Sequence, residues 1–468
     1  MVVQHNLRAM NSNRMLGITQ GTLSKSTEKL SSGYKVNRAA DDAAGLSISE
    51  KMRKQIRGLT QASLNAEDGI SSVQTAEGAL TEVHDMLQRM NELAVKAANG
   101  TNSLSDRQTI QDEVDQLLTE IDRVAETTKF NETYLLKGEA DKVTIYASAK
   151  DAGIAGKMTE GATSATFVMQ ALKLGDTITI GGTKYTIGTT DASKVQTSIG
   201  VAQGGEQITV NGIQYTVAAT KAEVNVDKNI LTIASITAKI TDGSTAIYNG
   251  KSYKVMTDKY DASKTKEGAD GVDDVDATII TTTAAYTKIQ QELRLANTIG
   301  TDATSSYTNK TQVKVADAVV STATIGFSIT KGTYQQQEAL NFSLHVGADA
   351  DMTNKISVRI DAMDTAGLGI KGLNVKDTSG ASATYAIDAI ADAVAKVSAQ
   401  RSLLGAVQNR LEHTINNLDN VVENTTAAES QIRDTDMATE MVKYANNNVL
   451  AQAGQSMLAQ SNQANQGV

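Results

Sequence analysis

Eight apolar residues, Val73, Ala76, Leu80, Val83, Leu87, Met90, Ala94 and Ala97, follow one another at steps of three and four. Such an a/d seam repeats every 3.5 residues and needs a partner helix along its whole length. Taken from Ile48 to Asn99, the helix spans roughly 75 Å, too long for one compact domain. A second seam, Ile110, Val114, Leu117, Ile121 and Val124, follows Asn99-Gly100. Gly100 is expected to end the first helix in the left-handed conformation, and Ser105 with Gln108 to form a capping box for the next. Near the other end Leu404, Val407, Leu411, Thr414, Leu418 and Val421 make a third seam. Leu16, Leu23 and Leu30 make a thinner one, with Thr19 and Ser26 at the intervening positions. The linker Ser31 to Gly45 interrupts the periodicity, and Ser47 with Glu50 is expected to cap the long helix. Seams at both ends of one chain complement each other, so the simplest packing is one antiparallel bundle.

The middle, from about Val143 to Tyr334, changes to Thr, Gly, Ile, Val, Tyr and Asp, the usage of strands and turns. It also repeats: Asp176 to Ile187 (DTITIGGTKYTI) matches Glu206 to Val217 (EQITVNGIQYTV) at an offset of 30, and Ala246 to Val255 (AIYNGKSYKV) echoes both. Gly181-Gly182, Asn211-Gly212 and Asn249-Gly250 tolerate the positive φ of two-residue hairpin turns, and the strands that follow carry Tyr185, Tyr215 and Tyr253. A further hairpin is expected around Lys355 to Met363. The fold class is therefore α+β and multidomain: a long antiparallel α-helical bundle or coiled coil formed by both termini, with a β-rich, hairpin-built insertion between them.

Chemistry is hard to place on this chain. Its 468 residues include no Pro, Cys or Trp, and 44 basic against 53 acidic residues leave a net charge of -9. Without Cys there is no disulfide, thiolate metal site or Cys nucleophile. Without clustered Lys and Arg a nucleic-acid partner is disfavoured, and no apolar run is long enough to span a membrane. The N-terminus lacks the apolar core and cleavage site of a secretory signal, which taken alone reads as cytosolic. His5, His84, His345 and His413 are scattered, and Glu412-His413 lacks the second His of a zinc HExxH motif. Gly367, Gly369 and Gly372 satisfy GxGxxG in form, but the extended Leu373-Asn374-Val375 follows where a dinucleotide site needs a helix, so a turn between strands is expected. Gly250-Lys251-Ser252 lacks the first glycine of a P-loop, since Thr245 stands there. Asp270, Asp273, Asp274 and Asp276 do not have EF-hand spacing and read as a solvated loop. No catalytic residue, cofactor or metal is expected.

The informative anomaly is C-terminal. From Asn446 to Val468 there is no charged side chain, while Val442, Ala445, Val449, Ala453 and Met457 keep a helical stripe. Such a helix is poorly stabilised alone and suits one that folds where many copies pack. With the equally thin stripe at Leu7 to Leu30, this points to a homo-oligomer whose assembly contacts include Leu16, Leu23, Leu30, Val442, Val449 and Met457.

The motifs at both ends resemble those of bacterial flagellins. Leu30 to Gly33 (LSSG), Asn37 to Ile56 (NRAADDAAGLSISEKMRKQI), Asn65 to Leu80 (NAEDGISSVQTAEGAL) and Leu87 to Val95 (LQRMNELAV) are similar to the family's N-terminal signature. Asp436 to Leu458 (DMATEMVKYANNNVLAQAGQSML) is similar to its C-terminal helix. The resemblance covers roughly Met1 to Leu136 and Ala339 to Val468. It implies a non-catalytic subunit polymerising into the helical filament that propels swimming cells. Residues 1–43 and 428–468 would form inner-core helices, 44–142 and 339–427 a helical bundle with a β-hairpin, and 143–338 a surface-exposed insertion of one or two subdomains. It also implies secretion through the flagellar type III channel, which replaces the cytosolic reading. Implied partners are an export chaperone on about Ala427 to Val468 and cap and junction proteins. A further one is an innate Toll-like receptor, through the motif standing here as Leu87, Gln88, Arg89 and Leu93 with Glu113 on the neighbouring helix. The same residues equally suit lateral subunit contacts. A hook-filament junction protein and an adhesive insertion are the alternative readings; a metallopeptidase insertion lacks its HExxH. Sequons stand at Asn309, Asn341 and Asn424. The absence of Pro and Cys suits a chain that is exported unfolded and then folds without slow prolyl bonds or misoxidised thiols.

Overall fold

The computed structural model describes residues 7–258, 270–302, 313–320, 323–377 and 380–463. His5 and Asn309, named above, lie outside them. The helices are α1 (Leu7–Ser32), α2 (Ala43–Ala98), α3 (Leu104–Thr127), α4 (Ala192–Ile199), α5 (Ile233–Thr237), α6 (Thr282–Thr298), α7 (Thr365–Leu368), α8 (Ala381–Arg433) and α9 (Met437–Gln463). Two compact units divide the chain. One comprises Met1–Gln74, Asn341–Val358 and Leu404–Val468, the other Thr75–Leu340 and Arg359–Leu403.

In the first unit α1 packs antiparallel on α9: Ser26 meets Glu440 near one end, and Leu16 lies against Gly454 towards the other. The start of α2 runs antiparallel to the end of α8, as Ser49 bonds Glu429 and Ser63 bonds Asp419. A two-stranded sheet, Leu340–His345 with Lys355–Ile360, lies against them. Val346 and Ile356 join Ala66 and Leu411 in one core cluster, and Leu59, Ala62 and Leu418 form another. Two glycines of α2 admit this layer, since a Cβ on Gly58 would touch Ala348 and one on Gly69 would collide with Leu344.

Several local expectations need correction here. The hairpin expected at Lys355 to Met363 is a single strand ending at Ile360, whose partner lies upstream at Leu340–His345. KISVRI buries Ile356, Val358 and Ile360 on one face, and its regular alternation leaves no turn inside it. Helix α2 starts at Ala43 because Asp42 Oδ1 accepts the Gly45 N–H at 2.9 Å, so Ser47 and Glu50 lie within the helix and form no cap. Val421 is exposed and Val422 takes its place in the core, as expected when a 3.6-residue helix drifts off a strict heptad.

In the second unit the seam of α2 is completely buried from Ala76 to Ala97, and Val73 is equally buried in the first. Helix α3 folds back antiparallel on α2 and presents Ile110, Val114, Ile121 and Ala125, while Leu117 and Val124 are only half-buried. Its capping box is Ser103 with Asp106, not Ser105 with Gln108; the shorter carboxylate reaches back to the Ser103 N–H at 3.0 Å. Gly100 has no positive φ. Helix α2 is ended by a side chain instead, since Arg107 donates to Ala97 O at 2.9 Å and Asn99 O at 3.3 Å.

The insertion begins and ends on one ladder, Lys142–Tyr146 paired antiparallel with Thr333–Gln337. All three expected hairpins form. Their turns have positive φ at Gly181 and Gly182, at Asn211 and Gly212, and at Asn249 and Gly250, the signature of type I′. The second and third hairpins share a five-stranded sheet, covered by α4 and α5 around Ile199, Ile208, Ile236 and Val255. In a separate four-stranded sheet Phe167 stacks on Phe327 at 6.3 Å, and Tyr286 of α6 meets Phe327 edge-on.

Candidate functional site

Helix α9 has two different faces. Glu440, Tyr444, Asn447, Ala451, Gly454, Leu458 and Ser461 recur at steps of four and three and are buried or half-buried. This is the seam against α1, and it is made of small and polar residues. The apolar stripe, Val442, Ala445, Val449, Ala453 and Met457, faces solvent; Val442 is 62%, Val449 65% and Met457 58% exposed. On α1 the division is reversed. Leu16, Thr19, Leu23, Ser26 and Leu30 form the buried and half-buried stripe, while Leu7, Met10, Met15 and Ile18 are exposed. Leu16, Leu23 and Leu30 therefore lie on the face that packs within the subunit, and Val442, Val449 and Met457 on a face that no described residue covers.

The seam is pinned by a buried polar pair. Ser26 Oγ donates to Glu440 Oε1 at 2.7 Å, and Lys443 Nζ reaches Glu440 Oε2 at 3.2 Å. The Ser26 hydrogen bond holds the Glu440 carboxyl below its ordinary 4.5 against the opposing push of burial, and Lys443 adds to it. A carboxylate held down in the folded state contributes stability above its unfolded value and loses it as pH falls through its folded value. Pairing of α1 with α9 is thus expected to weaken on acidification below about pH 4.5. Glu440→Gln should weaken it at neutral pH and flatten the pH dependence. Thermal dissociation of assembled protein across a pH series checks this; superimposable profiles for the two proteins would refute it.

The second candidate surface lies on α2 and α3. Arg89 is half-exposed; its Nη2 and Nε donate to Glu113 Oε1 at 2.8 and 3.0 Å, and its Nη1 to Glu92 at 3.1 Å. Glu113 first and Glu92 second push the guanidinium above its ordinary value. Gln88 is exposed and contacts His84 Nε2 at 2.8 Å. Leu87 and Leu93 are buried in the bundle. The structure thus brings Gln88, Arg89 and Glu113 together at the surface and leaves the two leucines inside, where they support the patch without being available to a partner.

Among the described residues no group of three or more His, Cys, Asp or Glu side chains could hold a metal ion. No described helix is long and apolar enough to cross a membrane. The aspartate-rich segment is a folded loop, in which the buried Asp273 accepts N–H groups of Thr257, Val275 and Asp276. The GLGIKG segment is not a turn between strands: α7 precedes Gly369, which caps it at φ 78°, and no strand forms at Leu373-Asn374-Val375.

Two matches to known families flank the insertion. Residues 3–141 match the bacterial flagellin N-terminal helical region, and residues 387–468 the C-terminal helical region. A flagellin of Clostridium tyrobutyricum is 38% identical over 100% of both chains. The chain belongs to the bacterial flagellins, the subunits of the flagellar filament. Flagellins of Bacillus subtilis, 33% identical over 100% of this chain and 98% of that one, and of Salmonella typhimurium, 34% identical over 98% and 99%, agree. Among solved structures, FliC from Burkholderia pseudomallei matches at TM-score 0.28 and 20% identity, covering 73% of this chain and 99% of that one. A flagellar hook-associated protein from Legionella pneumophila matches at 0.34 and 12%, covering 82% and 98%. These overlays are loose, and family membership rests on the sequence identities.

Sequence reasoning missed three polar groupings: Ser26 with Glu440, Arg107 with its carbonyls, and Arg433 with Tyr34 and Glu50. Arg107 did leave a signal, because it stands one step before Ile110 on the apolar stripe of α3.

Proposed function

We propose that the subunit polymerises through the uncovered apolar stripe of α9, with the exposed Met15 and Ile18 of α1 as a second apolar surface. The observation that carries this is the outward exposure of Val442, Val449 and Met457 on a helix whose inner face already packs on α1. An apolar row of this kind, on a helix that carries no charge from Asn446 onward, is the mark of an interaction surface. The work of the protein is mechanical and non-catalytic. Residues 1–43 with 428–468 form the filament's inner core, 44–142 with 339–427 surround it, and 143–338 face outward. The chain reaches the extracellular filament by flagellar export, with a chaperone on about Ala427 to Val468 before assembly and cap and junction proteins beside it afterwards. The Gln88, Arg89 and Glu113 patch supplies either a lateral contact between subunits or, on free monomer, a surface for an innate Toll-like receptor. An Arg fixed by two carboxylates above a packed core is suited to both.

Purified full-length protein, seeded or treated with precipitant, is expected to form filaments visible by negative-stain microscopy. Removal of Asn446 to Val468 should abolish them and leave the insertion folded. A truncated chain that still polymerises would sink this reading.

A further inference from the structure

The chain crosses between helices twice in the first unit, at 33–42 between α1 and α2 and at 434–436 between α8 and α9. The two crossings are bound to each other. Lys35 N–H donates to Arg433 O at 2.6 Å, Thr435 N–H to Gly33 O at 2.9 Å, and Tyr34 and Asp434 form an antiparallel bridge between them. Gly33, at φ 76°, lets the chain leave α1 in the direction this bridge requires.

One side chain spans the junction. Arg433 is the last residue of α8, and its side chain is only 13% exposed. Its guanidinium carbon lies 4.6 Å from the centre of the Tyr34 ring, on the first crossing. Its Nη1 lies 3.0 Å from Glu50 Oε1 on α2 and 3.8 Å from Glu429 on α8, and Ser49 Oγ donates to that same Glu429 at 2.9 Å. Its Nε is buried and has no hydrogen-bond partner among the described residues. Its side chain meets the first crossing at Tyr34 and α2 at Glu50, while its own carbonyl, where the second crossing begins, accepts the Lys35 N–H. Stacking on a ring and reaching carboxylates in the same plane is what a guanidinium does and an ammonium does not.

We propose that Arg433 is the positioning residue on which both crossings rest, so that its loss loosens α1 and α9 together. A filament subunit must bring its first and last helices into register together, and a shared clasp serves both. The proposal rests on the assembly reading above and adds to it a single residue on which the distant termini both depend.

The chain has no cysteine, so an introduced one is a unique probe. Thr19→Cys and Asn447→Cys place a half-buried thiol on α1 and on α9 respectively. Each is combined with Arg433, Arg433→Met or Arg433→Lys and incorporated as a minor fraction into filaments of the unaltered protein, and its thiol-labelling rate is measured. Arg433→Met is expected to accelerate both probes by the same factor, about tenfold for loss of a charge-assisted contact. Arg433→Lys should give a smaller but still matched factor, and it carries the test alone should the Met variant not enter filaments. Acceleration at Asn447→Cys with Thr19→Cys unchanged would overturn the proposal, as would no change at either. Failure of the probe chains with Arg433 intact to assemble counts against the assembly reading instead.

Discussion

Replacing Val449 with Asp is expected to leave the folded subunit intact and to abolish filament growth. Val449 is 65% exposed on the face of α9 turned away from α1, so the folded chain loses no packing. Surface substitutions of this kind shift stability by no more than about 0.5 kcal/mol. In a contact between copies through this stripe the same carboxylate leaves water among uncharged residues, because Asn446 to Val468 carries no charged side chain to pair with it. Burial of an unpaired charge costs about 3 kcal/mol or more, which is roughly a hundredfold in an association constant. The critical concentration for assembly should rise by at least that factor, while the far-UV circular dichroism overlays that of the parent. Sedimentation of seeded mixtures measures the first quantity. Filaments at an unchanged critical concentration would exclude the α9 stripe as an assembly surface. Val449→Ala, which removes area but adds no charge, should have a much smaller effect.

That prediction turns on a distinction the amino-acid pattern could not make. Apolar periodicity locates a seam when the seam is apolar, as it is from Val73 to Ala97, where all eight residues are completely buried. On α9 the residues with true 3.5 spacing are Glu440, Tyr444, Asn447, Ala451, Gly454, Leu458 and Ser461. Their pairing with α1 rests on close approach at Gly454 and on the Ser26–Glu440 hydrogen bond, neither of which leaves a hydrophobic signature. The visible stripe beside them points outward. The type I′ hairpins were legible because Asn-Gly and Gly-Gly are a local requirement of the turn itself. The partner of Lys355–Ile360 was not, since pairing with Leu340–His345 depends on a core that α2 and α8 supply from far away in sequence. Capping was legible in kind and displaced in position: Asp42 and Ser103–Asp106 stand a few residues before the Ser and Glu or Gln pairs that fit the pattern equally well.

Arg107 is the residue of the second unit whose loss should be felt most. It lies on the buried stripe of α3 with its side chain 3% exposed. Nε donates to Ala97 O at 2.9 Å, Nη2 to Asn99 O at 3.3 Å and Nη1 to Asp377 O at 2.8 Å, so one guanidinium closes the end of α2 and secures the segment leading into α8. Asp377 in turn accepts the N–H groups of Gly380 and Ser382 at the start of that helix. Space at the junction is tight, for a Cβ on Gly380 would lie 3.0 Å from Ala98 O and 3.2 Å from Arg107 Nη2. Arg107→Met keeps the length and apolar stem of the side chain but removes every donor. Three carbonyls then lose a partner at about 1 kcal/mol each, for an expected loss of about 3 kcal/mol. Arg107→Lys retains a charge but reaches fewer carbonyls and should lose about half as much. Urea unfolding of the full chain, with hydrogen exchange at the ends of α2 and α8 to localise the change, provides the measurement. A loss below about 1 kcal/mol for Arg107→Met, or exchange that rises elsewhere and not at those two helix ends, would show that the junction is held by the apolar seams alone.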